Sequence, residues 1–174
     1  MRTSILRCAA LSAALIAASY SLASPAVAQS AKASLKDQKG AEVGTVDLTQ
    51  TPAGVMLTLS LKSVPAGERA FHIHAVGKCE APFTSAGGHF NPGNHKHGLL
   101  VGVGHAGDMP NLHVPSSGVL VIEILNAAVT LEKGKPNSLF HDGGTSIVIH
   151  AGKDDYKSDP AGNAGDRIAC GIIQ

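Results

Sequence analysis

Alternation of apolar and polar side chains is the strongest local signal in this chain. From Val55 to Leu61 it is strict: Val55, Leu57, Leu59 and Leu61 fall on one face, and Met56, Thr58 and Ser60 on the other. A period of two marks a half-buried strand. Ala33 to Asp37 and Glu42 to Leu48 are further strands, the second alternating only loosely through Val43 and Val46. Gln38-Lys39-Gly40 and Pro52-Ala53-Gly54 supply turns between these runs. Later strands are expected at Ala70 to Ala75, Gly118 to Leu125, Ala128 to Leu131, Thr145 to His150 and Ile168 to Ile172. No long stretch has helical periodicity. The pattern predicts an all-β fold, an antiparallel Greek-key sandwich or flattened barrel.

Two stretches resist strand assignment. Gly77 to Ser117 is rich in Gly, Pro, Asn and His, and Gly152 to Asp166 in Asp, Lys and Gly. Loops this long inside a domain carry function or are disordered. There is no internal repeat and no linker, so residues 29–174 are read as one domain.

The first 28 residues stand apart. Arg2 and Arg7 precede an apolar run from Cys8 to about Leu22, and Ala26-Val27-Ala28 is a small-x-small cleavage site. This is the pattern of a cleaved secretory signal, which puts the mature start at Gln29. A retained anchor fits poorly, because the run is short and ends at Pro25. Cys8 stands at the start of the run rather than after it, so a lipid attachment is not expected.

Loss of the signal removes two of the 14 basic residues. That leaves 12 basic against 13 acidic side chains, a net of −1 with neutral histidine. No basic patch points to nucleic acid or to a membrane surface for the mature chain. Of three cysteines, Cys79 and Cys170 remain, and one disulfide is the default for an exported protein.

All nine histidines lie between positions 72 and 150. His72 and His74, two apart on an expected strand, share one face. His150 ends another. His89, His97 and His105 are spaced by eight, and Asp108 follows three after His105. Imidazoles suit copper and zinc, and a carboxylate among them suits zinc.

The joint pattern strongly resembles the copper,zinc superoxide dismutases, in particular their bacterial exported branch. The matching stretches begin with Phe71-His72-Ile73-His74 and Gly77-Lys78-Cys79, then Ala86-Gly87-Gly88-His89-Phe90-Asn91-Pro92. Lys96-His97-Gly98 and the run from His105-Ala106-Gly107-Asp108 to Leu112 follow. Ile149-His150-Ala151 and the run from Gly162-Asn163 to Cys170-Gly171 complete the set. The resemblance spans nearly all of residues 29–174, in order.

It implies a role for each residue. His72, His74 and His150 correspond to copper ligands, and His89 to the histidine shared by copper and zinc. His97, His105 and Asp108 correspond to the other zinc ligands. Asp154 corresponds to a carboxylate linking a copper histidine to a zinc histidine, with Asp155 beside it as the other candidate. Arg167 corresponds to the arginine that attracts the anion, and Cys79 and Cys170 to the family disulfide. The implied reaction is dismutation of superoxide to oxygen and hydrogen peroxide, with His89 delivering a proton. The implied compartment is the periplasm, where the enzyme would protect the cell envelope. Family members occur as monomers and as dimers, so a homodimer stays open.

Two departures stand out. Leu99 to Gly104 is more apolar than the family pattern implies. The second loop holds Lys153 and Lys157 against Asp154, Asp155, Asp159 and Asp166, a net of −2. Arg167, with Lys96 and Lys135 as further candidates, is left to attract an anion. His95, His113 and His141 match no ligand. A metal store or chaperone on the same scaffold would be expected to lack a copper histidine or the arginine. An adhesion-type sandwich would leave the seven ligands without purpose.

Overall fold

Strict alternation from Val55 to Leu61 produces a strand, β3 (Gly54–Leu61), with Val55, Leu57, Leu59 and Leu61 buried. In this computed structural model residues 29–174 are described, and the segment read as an export signal lies outside them. Two strands precede β3: β1 (Ser30–Asp37) and β2 (Glu42–Thr51). They pair antiparallel, but Leu35 faces Gly44 while Lys36 faces Glu42, so Val43 is an extra residue. That bulge resets the phase of β2. It explains the loose alternation, since Val43, Val46 and Leu48 can all point inward.

The remaining strands are β4 (Gly67–Arg69), β5 (Phe71–His74), β6 (Leu112–Val114), β7 (Leu120–Asn126), β8 (Ser146–His150) and β9 (Arg167–Ile172). Seven form one antiparallel sheet in the order β5-β8-β9-β1-β2-β3-β7, and β4 pairs with β6 in a short ribbon. Neighbours such as β3 and β7 are far apart in the chain, which is the Greek-key crossing the pattern predicted. A single 3₁₀ turn, Thr84–Ala86, is the only helical element among the described residues. The core lies inside the curled sheet and includes Leu35, Leu48, Leu57, Phe71, Ile73 and Ile147. Each such side chain contributes about 1.5–3 kcal/mol by leaving water.

Two expectations differ from the structure, and one short strand was not anticipated. Ala128 to Leu131 is not a strand and makes only an isolated bridge from Thr130 to Ser138. Side chains take the bonds a neighbouring strand would: Gln50 Oε1 accepts from Leu131 N and Thr130 Oγ1, and Asn126 Oδ1 from Ala128 N. Gly67–Arg69 and Leu112–Val114 pair with each other, although the former lacks an alternating pattern and the latter lies inside the expected loop.

β5 and β8 position the site. Phe71, Ile73, Ile147 and Ile149 face the core. His72 and His74 point to the opposite face, where they are also fully buried because the two long loops fold over them. On that outer face Val148, Phe83, Ala86 and Cys170 form a second small apolar cluster beside Cys79. The Cys79–Cys170 disulfide ties this loop to β9.

Candidate metal centre

His72 and His74 come from β5, and His150 from the end of the adjacent β8. The first long loop returns His89 to this face, where it bridges to His74 in a strand-like contact. One ligand atom from each of His72, His74, His89 and His150 lies within 4.8 Å of the others. His89, His97, His105 and Asp108 form a second group by the same measure. His89 therefore belongs to both. Among the described residues these are the two groups able to hold an ion.

Hydrogen bonds on the far side of each ring fix which nitrogen is free. His72 Nε2 donates to Asp154 Oδ2 at 2.8 Å, and His97 Nε2 to Asp154 Oδ1 at 3.0 Å. His74 Nδ1 donates to Gly87 O at 2.9 Å, and His150 Nδ1 to Gly165 O at 3.2 Å. Each opposite nitrogen then carries a lone pair. His72 Nδ1, His74 Nε2, His89 Nε2 and His150 Nε2 are buried with no partner. Burying one unpaired polar atom is costly, and four converging on one point are explained by an ion. The all-imidazole set fits copper.

In the second group, His89, His97 and His105 each place Nδ1 at 2.8, 3.0 and 3.4 Å from Asp108 Oδ1. Donors about 2.0–2.1 Å from a shared centre stand about 3.3 Å apart in a tetrahedron, so this spacing fits zinc. Asp108 Oδ2 accepts from the N–H groups of Gly98 and His105, which orients the carboxylate and closes the loop between them. The apolar residues Leu99, Leu100, Val101 and Val103 lie exposed at the tip of that loop. Gly104, which ends this segment, lies against the Asp108 carboxylate.

Asp154, only 2% exposed, spans the two groups through His72 and His97. Asp155 instead accepts from Lys157 N, Ser158 and Asn163 within its own turn. Asn111, to which no role was assigned from the sequence, holds Asp154 by two bonds, Nδ2 to its carbonyl and Oδ1 from its N–H. Gly162 sits against the Asp154 carboxylate at φ +62°, where a Cβ would collide with it. The carbonyls of Gly87 and Gly165 were equally invisible, because backbone acceptors leave no mark in residue type.

Arg167 opens β9, partly buried. Its guanidinium donates to Phe83 O at 2.6 Å and Gly87 O at 2.7 Å, both on the disulfide-tied loop. Its charge is felt at His74 and His150, whose protonation it disfavours. His95 and His113 are exposed, the former in a loop closed by Asn91 and the latter on β6. His141 stacks on Phe90, with ring centroids 5.5 Å apart.

Burial sets the protonation of the ligands. It lowers His72 to about 4, His74 to about 2 and His150 to about 3, with repulsion from neighbouring histidines and Arg167 adding to the last two. Burial would raise the Asp154 carboxyl, but bonds from His72, His97 and Tyr156 N outweigh it and bring it to about 2. At neutral pH the His72, His74 and His150 rings are neutral and Asp108 and Asp154 are charged, the states that bind metal.

A pH dependence follows for the metal-free protein. In the unfolded chain these histidines take up protons near pH 6.5. In the fold they resist until about pH 4 or below. Their contribution is complete above pH 6.5 and is lost as pH falls towards 4, by at most about 1.4 kcal/mol per histidine per pH unit. Urea unfolding of metal-free protein should show a midpoint that drops from pH 7 to pH 5. A midpoint constant over that range would contradict this burial of neutral rings.

Comparison with known proteins agrees with this geometry. The sequence model of the copper/zinc superoxide dismutase family matches residues 42–173. Superoxide dismutase (Cu-Zn) 1 of Aquifex aeolicus is 56% identical over 145 residues, covering 82% of this chain and 86% of that protein. A superoxide dismutase-like protein from Bacillus subtilis superposes with a TM-score of 0.78 at 35% identity, covering 82% of this chain and 97% of the other. Cu/Zn superoxide dismutase from Brucella abortus superposes with a TM-score of 0.69 at 28% identity, covering 84% and 100%. With a family match across three quarters of its length and both histidine groups in place, the chain belongs to the copper/zinc superoxide dismutase family.

Proposed function

We propose that the chain dismutes superoxide in the cell envelope, with His72, His74, His89 and His150 holding copper and His89, His97, His105 and Asp108 holding zinc. The observation that carries this reading is the set of buried, unpartnered ring nitrogens converging beside a histidine common to both groups. When bound, copper supplies a one-electron couple and zinc a fixed charge. In total, two superoxide ions and two protons become oxygen and hydrogen peroxide.

The chain's own residues do the rest. Arg167 has five N–H donors, and its two carbonyl contacts leave others for an anion. Those contacts aim the guanidinium beside His74 and His150, and its charge does not titrate in the working range. His89 Nε2 faces the copper group and is the nitrogen placed to hand over one proton, while solvent supplies the second. Asp154, held by Asn111, keeps His72 and His97 in fixed tautomers. Both groups are complete within one chain, so the chemistry does not require a homodimer.

Arg167→Ala tests the anion role. The rate at low substrate should fall about tenfold or more and lose much of its salt dependence, with metal content unchanged. A rate equal to the parent would remove Arg167 from the mechanism.

Residues 1–28 are proposed as the cleaved export signal, and the periplasm as the working compartment. The disulfide supports this, because disulfides persist in oxidising compartments. The mass of the periplasmic protein should correspond to residues 29–174. A chain that keeps Met1 would contradict it.

A further inference from the structure

We propose that Arg69 is a positioning residue for His150 and Arg167, acting through the backbone at Ala151. The inference rests on the dismutase reading above, and extends it to a side chain outside both ligand groups.

Arg69 closes β4, paired with Leu112 on β6. Its Nε donates to Pro65 O at 2.9 Å, and its two Nη groups donate to Ala66 O and Ala151 O. Among the described residues it forms no ion pair, and the neighbouring Glu68 is paired with Lys153. The guanidinium is thus spent on three carbonyls. Its planar fork suits this, whereas one ammonium cannot span three such acceptors.

Ala151 is a junction. It directly follows His150, and its N–H donates to Asp166 O, next to Arg167, at 2.7 Å. Gly152 N donates to Ala164 O at 2.8 Å, and the His150 ring to Gly165 O at 3.2 Å. Residues 150–152 and 164–166 therefore clasp the two ends of the second loop. The β8–β9 ladder shifts register between Ile149 and His150, so regular sheet pairing breaks down where the clasp begins. Ala70 holds this region by backbone bonds, accepting from His150 N and donating to Gly152 O. Arg69 adds the side-chain tie, 82 residues away in sequence, that fixes the carbonyl of Ala151 between them. Loosening it would turn the His150 ring and shift Arg167 directly, whereas His97, His105 and Asp108 sit on the first long loop and His97 meets the clasped loop through Asp154 and Asp159.

The test compares wild-type protein with Arg69→Ala and Arg69→Lys, loaded with copper and zinc. The expected result is a changed Cu(II) paramagnetic resonance spectrum, about tenfold weaker copper retention against a chelator and a lower kcat/KM. Cobalt(II) placed in the zinc group should change much less, since that group reaches the clasped loop only at second hand, through Asp154 and Asp159. If Arg69→Ala does not fold, Arg69→Lys carries the comparison. Parent-like resonance and copper retention would overturn the proposal, whatever happens to melting temperature. So would an equal disturbance at the cobalt-loaded group, since that is general loosening. Wild-type protein that binds copper without dismuting superoxide would sink the enzymatic reading, and copper retention would still decide the role of Arg69.

Discussion

Replacing His150 with Ala should abolish dismutation and leave zinc binding intact. His150 is 3% exposed at the end of β8, with Nε2 unpartnered among the copper-group nitrogens. It is absent from the group that contains Asp108. Loss of a partner behind a ligand commonly costs about 10–100-fold, and loss of a ligand itself should exceed that. The fold should survive, because the core face of β8 is carried by Ile147 and Ile149. Zinc content and cobalt(II) absorption should match the parent, while the rate falls more than 100-fold. Activity within a few-fold of the parent would show that His150 does not hold the working metal.

Loss of the disulfide should be the largest stability effect. Cys79 and Cys170 are 91 residues apart, and closing a loop of that length restricts the unfolded chain by about 4–5 kcal/mol. Cys170 packs with Phe83, Ala86 and Val148, so the same loop has an apolar anchor as well. A Cys79→Ser, Cys170→Ser double variant should unfold at markedly lower denaturant. Its activity should fall too, because the carbonyls of Phe83 and Gly87 hold Arg167 and the latter also holds His74. A loss below about 1 kcal/mol would show that metal binding and the apolar cluster suffice to hold this loop.

The fold was legible where side chains carry the period. Val55 to Leu61 announced β3 because every second residue enters the core. β2 was blurred by the bulge at Val43, which places apolar residues at odd and even positions alike. Ala128 to Leu131 looks like a strand and is not one, because Gln50 captures its donors. No local pattern reveals a partner 80 residues away.

The candidate site was legible for a different reason. Its groupings were implied by the family resemblance of the spaced histidines, and His72-Ile73-His74 on one strand puts two rings on one face. The supporting groups were not legible. Gly87 and Gly165 act through carbonyls, Asn111 through a reciprocal pair with Asp154, and Arg69 through Ala151. Asp154 and Asp155 were ambiguous in sequence, and only the geometry shows which carboxylate reaches His72 and His97.

The most direct test of the central claim measures metal content and dismutation together on protein comprising residues 29–174, loaded with both metals. Two ligand groups sharing His89 predict one copper and one zinc per chain. Activity should vanish when copper is withdrawn and return when it is restored. Zinc alone, or both metals without activity, would contradict the account and point instead to a metal store built on the same fold.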